Sequence, residues 1–205
     1  MTILAIDTST PHGSVAVLAD GALVLAENFV ADRSHSSSLF AVLERARKIV
    51  ARVDAVAIGL GPGSYAGVRI AIAAGIGFEL GGDARLIGIP SVAALETDAP
   101  HYIAIGDARR ETFYFTRVEN GVCVEGPLLA TAPELRAHLS ANSSLPVFSS
   151  ALLPEFPEAK IALPSAARIA TLAVSQRGIV AAGELEPIYL REPHITQPRQ
   201  RPPLL

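Results

Sequence analysis

Ile58-Gly59-Leu60-Gly61-Pro62-Gly63-Ser64-Tyr65-Ala66-Gly67-Val68-Arg69-Ile70 is the stretch on which the reading of this chain turns. It joins an apolar strand, Val53 to Ile58, to a helix rich in small residues that ends at Gly81-Gly82. Glycines 59, 61 and 63 tolerate backbone angles and close approaches that a Cβ would block, and Pro62 sets its own φ. Strand, turn and helix make a β-α unit, which places the chain in the α/β class. The turn reads in two ways: it can lead N–H groups toward an anion at the helix start, or it can be a tight structural turn. Within the helix, Gly67, Ala71 and Gly75 are spaced by four and share a face beside Ala74 and Phe78. An interior glycine costs about 1 kcal/mol of helix propensity, so this stripe implies close packing against a neighbouring helix of the same chain or of another subunit.

Upstream, Thr2 to Ile6 is a short apolar run that ends in the polar loop Asp7-Thr8-Ser9-Thr10, and Gly13 to Leu18 follows at once. Asp20-Gly21 signals a hairpin into Ala22 to Ala26 and on toward Phe29-Val30. Three antiparallel strands follow from this order, with the Asp7 loop at the end of the first, where it can face a ligand cleft. Asp32 to Ser38 supplies N-cap residues, and Leu39, Phe40, Leu43, Ala46, Ile49 and Val50 then recur at helical spacing. That predicts an amphipathic helix of about four turns packed on the opening sheet. Downstream, Arg85 to Pro90 reads as a strand and Ser91 as the cap of a short helix through Glu96.

Thr97-Asp98-Ala99-Pro100 is a breaker cluster, and it divides the chain into an N-terminal lobe, 1–99, and a C-terminal lobe with an extended tail, 100–205. The second half restarts as the first did. An apolar strand from His101 ends at Asp107, a charged turn with Arg109, Arg110 and Glu111 follows, and Phe113 to Val118 leads through Asn120-Gly121 to Val122-Cys123-Val124. This strand order repeats that of residues 2–26 and predicts a duplication. Thr131-Ala132-Pro133-Glu134 has the form of a capping box for a helix through Leu139, and Ser165 that of a cap for Ala166 to Val174. Leu145 to Phe148 is a further strand, Glu186 to Pro193 an edge strand or extended segment, and Pro198 to Pro203 irregular.

Half of the 205 residues are hydrophobic and 18% are charged, enough for a substantial core and some apolar surface for a partner. A formal charge of -3 supplies no global attraction to nucleic acid or anionic membrane. The single cysteine, Cys123, forms no intrachain disulfide and reads as a small core residue. With no basic leader and no uninterrupted membrane-length apolar run, a cytoplasmic protein is expected. His12, His35, His101, His138 and His194 show no metal-ligand spacing, so no metal site is expected. Asp7, Arg69, Asp107 and Arg109 are the candidate cleft residues: the acids can orient water or a magnesium-bound phosphate, the arginines can reach a carboxylate or phosphate, and each can equally serve in a local turn or ion pair. Ser64 is not in G-x-S-x-G, and the glycine turn lacks the Lys-Ser/Thr ending of a P-loop.

Ile3 to Ser9, Arg33-Ser34-His35-Ser36, Gly61 to Ile70, Pro90-Ser91, Asp107-Ala108-Arg109 with Glu111 and Tyr114, and Pro187-Ile188-Tyr189-Leu190-Arg191 lie in the order found in one family. By these motifs the chain resembles the bacterial tRNA threonylcarbamoyladenosine biosynthesis proteins called TsaB or YeaZ. Ala66 and Ala71 depart from the threonine and glycine common there, and the proline expected near Phe40 is absent. The resemblance implies a two-lobed actin/Hsp70/sugar-kinase-like (ASKHA) fold with duplicated βββαβα lobes, the second reduced. It implies a non-catalytic partner and activator of a TsaD-like transferase that forms N6-threonylcarbamoyladenosine at tRNA position 37, with a TsaE-like ATPase as a further partner.

It also implies a homodimer when the chain is alone, contact with tRNA only through the complex, and no independently bound cofactor, ATP and Mg entering only in the complex. The expected partner and dimer surface is His35, Leu39, Phe40 and Leu43 on the first helix with Gly67, Ala71, Gly75 and Phe78 on the second. Two other functions compete: an ATP-dependent phosphotransferase or ATPase built on Asp7, the glycine turn and Asp107, and, behind it, an endopeptidase.

Overall fold

The computed structural model describes residues 1–30, 35–82 and 84–191, with backbone alone at His35 and Ser36. Asp32, Arg33 and Ser34 of the stretch expected to cap the first helix, His194, and the stretch 198–203 expected to be irregular lie outside the described residues. The first half runs β1 (Thr2–Asp7), β2 (His12–Ala19), β3 (Ala22–Val30), α1 (His35–Ile49), β4 (Ala55–Gly59), α2 (Tyr65–Gly82) and β5 (Arg85–Ile89). The second runs β6 (His101–Asp107), β7 (Thr112–Glu119), β8 (Val122–Thr131), α3 (Ala132–Ala141), β9 (Val147–Ser149), β10 (Lys160–Ile161), α4 (Ala166–Val174) and β11 (Ala181–Ala182).

The strand orders carry the duplication. One sheet is ordered β11-β5-β4-β1-β2-β3 and the other β10-β9-β6-β7-β8. In both, the opening strand pairs antiparallel with the second and parallel with the fourth of its own half. The second half is reduced, since its fourth and fifth strands are joined without a helix.

Period-two alternation sorts the first sheet into two faces. Leu4, Ile6, Val15, Val17, Val56 and Ile58 meet α1 and α2 on one face. Ile3, Ala5, Ala16, Ala55 and Ala57 meet α4 on the other. The second face is mostly alanine, and α4 answers with Ala166, Ala170 and Ala173, so helix and sheet approach closely. The Ala166 N–H at the start of α4 donates to the buried Ser14 Oγ on β2 at 2.9 Å. A helix from the second half thus completes the core of the first sheet.

The structure corrects several local expectations. Phe40 and Ile49 are half exposed, while Leu39, Val42, Leu43 and Ala46 make the buried stripe of α1. The predicted helix after Ser91 is one 3-10 turn, Ser91–Ala94, because Leu95 already bridges to Pro164. β8 extends to Thr131 past Pro127, which an edge strand tolerates since its outward N–H is not needed. Of the two forms expected for Glu186 to Pro193, the described part to Arg191 takes the extended one, held by the Ile188 N–H donating to Leu60 O at 2.8 Å and the Arg191 guanidinium donating to the Thr112 hydroxyl at 2.5 Å. Ala181–Ala182, just upstream, joins the sheet instead. The capping box is present as expected: Glu134 Oε2 accepts from the Thr131 N–H at 2.8 Å and from its hydroxyl at 2.7 Å. Cys123 is packed between core clusters, where burial pushes its thiol up to about 12, a value at which it stays protonated and unreactive.

The glycine stripe of α2 faces the chain's own sheet and first loop rather than another helix. A Cβ on Gly75 would stand 2.5 Å from Ile58 Cδ1, and one on Gly67 would stand 1.9 Å from the Thr8 carbonyl oxygen. Gly77, on the outer side, has nothing within 4 Å. Gly67→Ala is therefore expected to lower stability by about 2–3 kcal/mol despite its better helix propensity, because backbone must move. Gly77→Ala is expected to raise it by about 0.5–1 kcal/mol. Urea denaturation of the two variants checks both signs.

Candidate functional site

The glycine turn and the Asp7 loop meet at the ends of β1, β4 and β5, and they meet through backbone. The Ser64 N–H donates to Ser9 O at 2.6 Å, and the Thr8 hydroxyl donates to Gly67 O at 2.7 Å. A Cβ on Gly63 would come within 2.2 Å of Ser9 O. The Gly61 N–H donates to Ser91 Oγ at 2.9 Å, and the Ser91 N–H returns to Gly61 O at 2.7 Å. Leu60 N–H is held by Ile89 O, and Gly67 N–H by Ser64 Oγ. Four N–H groups of this turn, those of Leu60, Gly61, Ser64 and Gly67, are thus engaged within the protein.

Asp7 is fully buried beneath this turn. Its Oδ1 accepts from the Ser9 N–H at 2.9 Å and the Ser9 hydroxyl at 2.7 Å. Its Oδ2 faces Ser91 Oγ across the space above Gly59 without a hydrogen bond of good geometry; a Cβ there would lie 1.9 Å from one and 2.7 Å from the other. Burial raises the carboxyl pKa above its ordinary value, opposed by the Ser91 and Ser9 hydroxyls and the Ser9 N–H.

The other cleft candidates are not joined to Asp7. Asp107 lies at the exposed β6–β7 turn, where its Oδ1 accepts from the Arg109 N–H at 2.7 Å and its Oδ2 is 3.6 Å from the Arg109 guanidinium. Arg109, Arg110 and Glu111 there have φ of 64°, 56° and 59°, so this is a left-handed turn held by its own aspartate. Tyr114 points into the core of the second half, and burial pushes its phenol up to about 12. Arg69 projects from α2 to the surface and donates to the Tyr65 hydroxyl at 2.7 Å, its guanidinium 5.2 Å from the Tyr65 ring centre. Tyr189 completes the cluster, with ring centres 5.5 Å apart. Arg69 pairs with no carboxylate among the described residues; it ties the start of α2 to the late Tyr189 segment. The Tyr65–Arg69 half was legible as an i,i+4 pair. Nothing local marks Tyr189 as its partner, because that contact spans the length of the chain.

Beside this sealed turn, the outer faces of α1 and α2 are open. Phe40, Leu43, Ala73, Gly77 and Phe78 line a groove of about 470 Å³, with Arg47 over the Phe78 ring at 5.7 Å. Ile76 and Leu80 extend the apolar face, Leu80 with 83% of its surface exposed. Of the expected interface residues, Phe40, Leu43 and Phe78 line this groove, whereas Leu39, Gly67, Ala71 and Gly75 are buried in the chain's own core. The spacing of small residues identified a tightly packed face but not its partner, which is the sheet. The side chain of His35 lies outside the described residues. Ala73, Ile76, Gly77 and Leu80 are the exposed positions that the sequence reading missed, although they follow from turning the helix away from that stripe. Among the described residues, no three His, Cys, Asp or Glu side chains are gathered as for a metal ion. No helix there is long and apolar enough to cross a membrane.

Two sheets with the same strand order, a helix-covered first half and a carboxylate at the tip of β1 define the actin/Hsp70/sugar-kinase-like class of α/β fold. A family profile described as TsaD, tRNA N6-adenosine threonylcarbamoyltransferase, matches residues 29–132. An uncharacterized protein of Mycobacterium tuberculosis is 31% identical over 211 residues, covering 94% of this chain and 92% of that one. The tRNA threonylcarbamoyladenosine biosynthesis protein TsaB of Haemophilus influenzae is 29% identical over 225 residues, covering 93% and 94%. The crystal structure of an uncharacterized protein from Pseudomonas aeruginosa, described as similar to peptidase YEAZ, matches with a TM-score of 0.71 and 26% identity over 93% of this chain and 99% of that one. The chain belongs to the TsaB (YeaZ) family.

Because the folded pKa of Asp7 is raised, its contribution to stability is fully present below the unfolded value of 3.8 and is lost as pH rises through the folded value. Asp7→Asn removes that loss, keeps an acceptor for Ser9 and turns a donor toward Ser91. The variant is expected to be more stable than the parent at pH 7, by about 1–3 kcal/mol for relief of a buried unsatisfied group. The difference should shrink as pH falls toward 4, measured by denaturation of the two proteins across pH.

Proposed function

We propose that this chain is the non-catalytic partner and activator of a TsaD-like threonylcarbamoyltransferase, acting in formation of N6-threonylcarbamoyladenosine at tRNA position 37. The observation that carries this reading is the contrast within the first half: the β1 carboxylate and its glycine turn are sealed against each other, while the adjoining α1–α2 face is apolar and open. The curated relative from Haemophilus influenzae is named for this biosynthesis. The profile named for the transferase covers both helices of the open face.

On this reading α1 and α2 hold the catalytic subunit, and the same face pairs two copies of the chain when the subunit is absent. A TsaE-like ATPase joins the assembly, ATP and Mg enter only there, tRNA is reached through the complex, and the setting is the cytoplasm. The competing phosphotransferase reading requires Asp7 to meet a magnesium-bound phosphate, which a carboxylate with no solvent exposure cannot do without opening the turn.

Reconstituted tRNA modification with and without this chain tests the proposal: activity of the catalytic subunit should rise on its addition, and unchanged activity counts against it. Phe40→Asp, at a position 54% exposed, should weaken association with the catalytic subunit at least about tenfold. Its unfolding free energy should stay within about 0.5 kcal/mol of the parent's. Size-exclusion chromatography and denaturation separate these outcomes.

A further inference from the structure

A second concavity, of about 500 Å³, opens where the two halves join, beside α4 and away from the α1–α2 groove. Its walls come from the connection Thr97 to Pro100, the β7–β8 turn at Asn120-Gly121, and α4 with the residues just beyond it. The connection and the β7–β8 turn are tied by the Asn120 N–H donating to Pro100 O at 2.6 Å, and the Arg177 N–H donating to Leu172 O at 2.9 Å closes the end of α4. Gly178 packs so closely on the β7–β8 turn that a Cβ would stand 2.4 Å from Gly121 O. Tyr102 and Leu172 supply an apolar lining, and the Tyr102 hydroxyl is already committed to Val92 O at 2.7 Å.

Arg168 on α4 and Arg177 beyond its end both line this cleft. Among the described residues neither makes an ion pair, hydrogen bond or ring contact through its guanidinium. Most other described arginines are engaged: Arg45 with Glu27, Arg52 with Asp54, Arg117 with Glu119 and Glu125, Arg47 over Phe78 and Arg69 over Tyr65. Two uncommitted guanidiniums on one concavity present planar N–H donors suited to an anion with several oxygens. The Arg168 charge reaches the floor, where it offsets part of the rise that burial causes in the Tyr102 pKa. Asp98, the one carboxylate of the lining, forms no ion pair among the described residues and is an acceptor for hydroxyl or amino groups; the Thr97 hydroxyl, which accepts from the Ala99 N–H at 3.1 Å, and Asn120, whose Nδ2 lies 3.2 Å from His101 Nε2, are its neutral polar neighbours. The volume lies within the range of small-ligand sites.

We propose that this junction cleft binds a small phosphate-bearing ligand of sugar-phosphate or nucleoside-monophosphate size, with Arg168 and Arg177 on the phosphate and Asp98 on ribose hydroxyls. The proposal is independent of the tRNA-modification role. Isothermal titration of the full chain with ribose 5-phosphate and with AMP tests it, inorganic phosphate serving as competitor. Saturable binding of at least one of the two at millimolar or lower concentration is expected, weakened about tenfold or more in Arg168→Gln and in Arg177→Lys. Arg177→Lys keeps the positive charge past the C-terminus of α4, so its thermal midpoint should match the parent's while binding falls. The proposal is overturned by absence of saturable binding to both ligands, by unchanged affinity in both variants, or by binding of a single-stranded RNA oligonucleotide alone.

Discussion

The contact on which the fold depends is the approach of two backbones: the start of α2 lies against the loop that follows β1, with Gly63 and Gly67 facing the carbonyl oxygens of Ser9 and Thr8. No side chain fits between them, which explains why glycine stands at these positions despite its cost in a helix. The approach brings the ends of β1, β4 and β5 into one hydrogen-bonded knot through Ser9, Ser64, Gly61 and Ser91. It also closes over Asp7. A turn that could have been an anion cradle becomes the clamp that orients α2 on the sheet.

Once α2 is clamped with its small residues inward, its remaining faces have determined roles. Gly75 and Ala71 admit the sheet, while Ala73, Ile76, Gly77 and Leu80 are turned to solvent next to Phe40 of α1. Burying the small residues leaves larger apolar ones outside, an arrangement that favours a partner rather than an isolated surface. The opposite side of the same sheet is closed by α4, delivered from the second half of the chain. The Ser14–Ala166 hydrogen bond fixes that delivery, so stability of the first sheet depends on residues distant in sequence.

Much of the architecture was legible locally. Asp20-Gly21 and Asn120-Gly121 announced the hairpins, and Thr131 to Glu134 announced the start of α3. Errors fell where neighbours outside the window decide. Phe40 fits the helical stripe of α1 as well as Val42 does, yet α1 is rotated by its packing so that Val42 is buried and Phe40 is not. Glu186 to Arg191, open between edge strand and extended segment, takes the extended form because Ala181–Ala182 already occupies the place beside β5.

The candidate site divides in the same way. Sequence alone determined that Asp7 ends a strand, that a glycine turn leads into a small-faced helix and that the chain is built twice on one plan. These are matters of local backbone permission and periodicity, which residue type controls directly. Tertiary structure decided that the small face meets the chain's own sheet, that Asp7 is sealed, that Arg69 joins Tyr65 to Tyr189, and that Arg168 and Arg177 line one cleft. Each of these depends on which distant segments occupy the same space, and no local spacing encodes that.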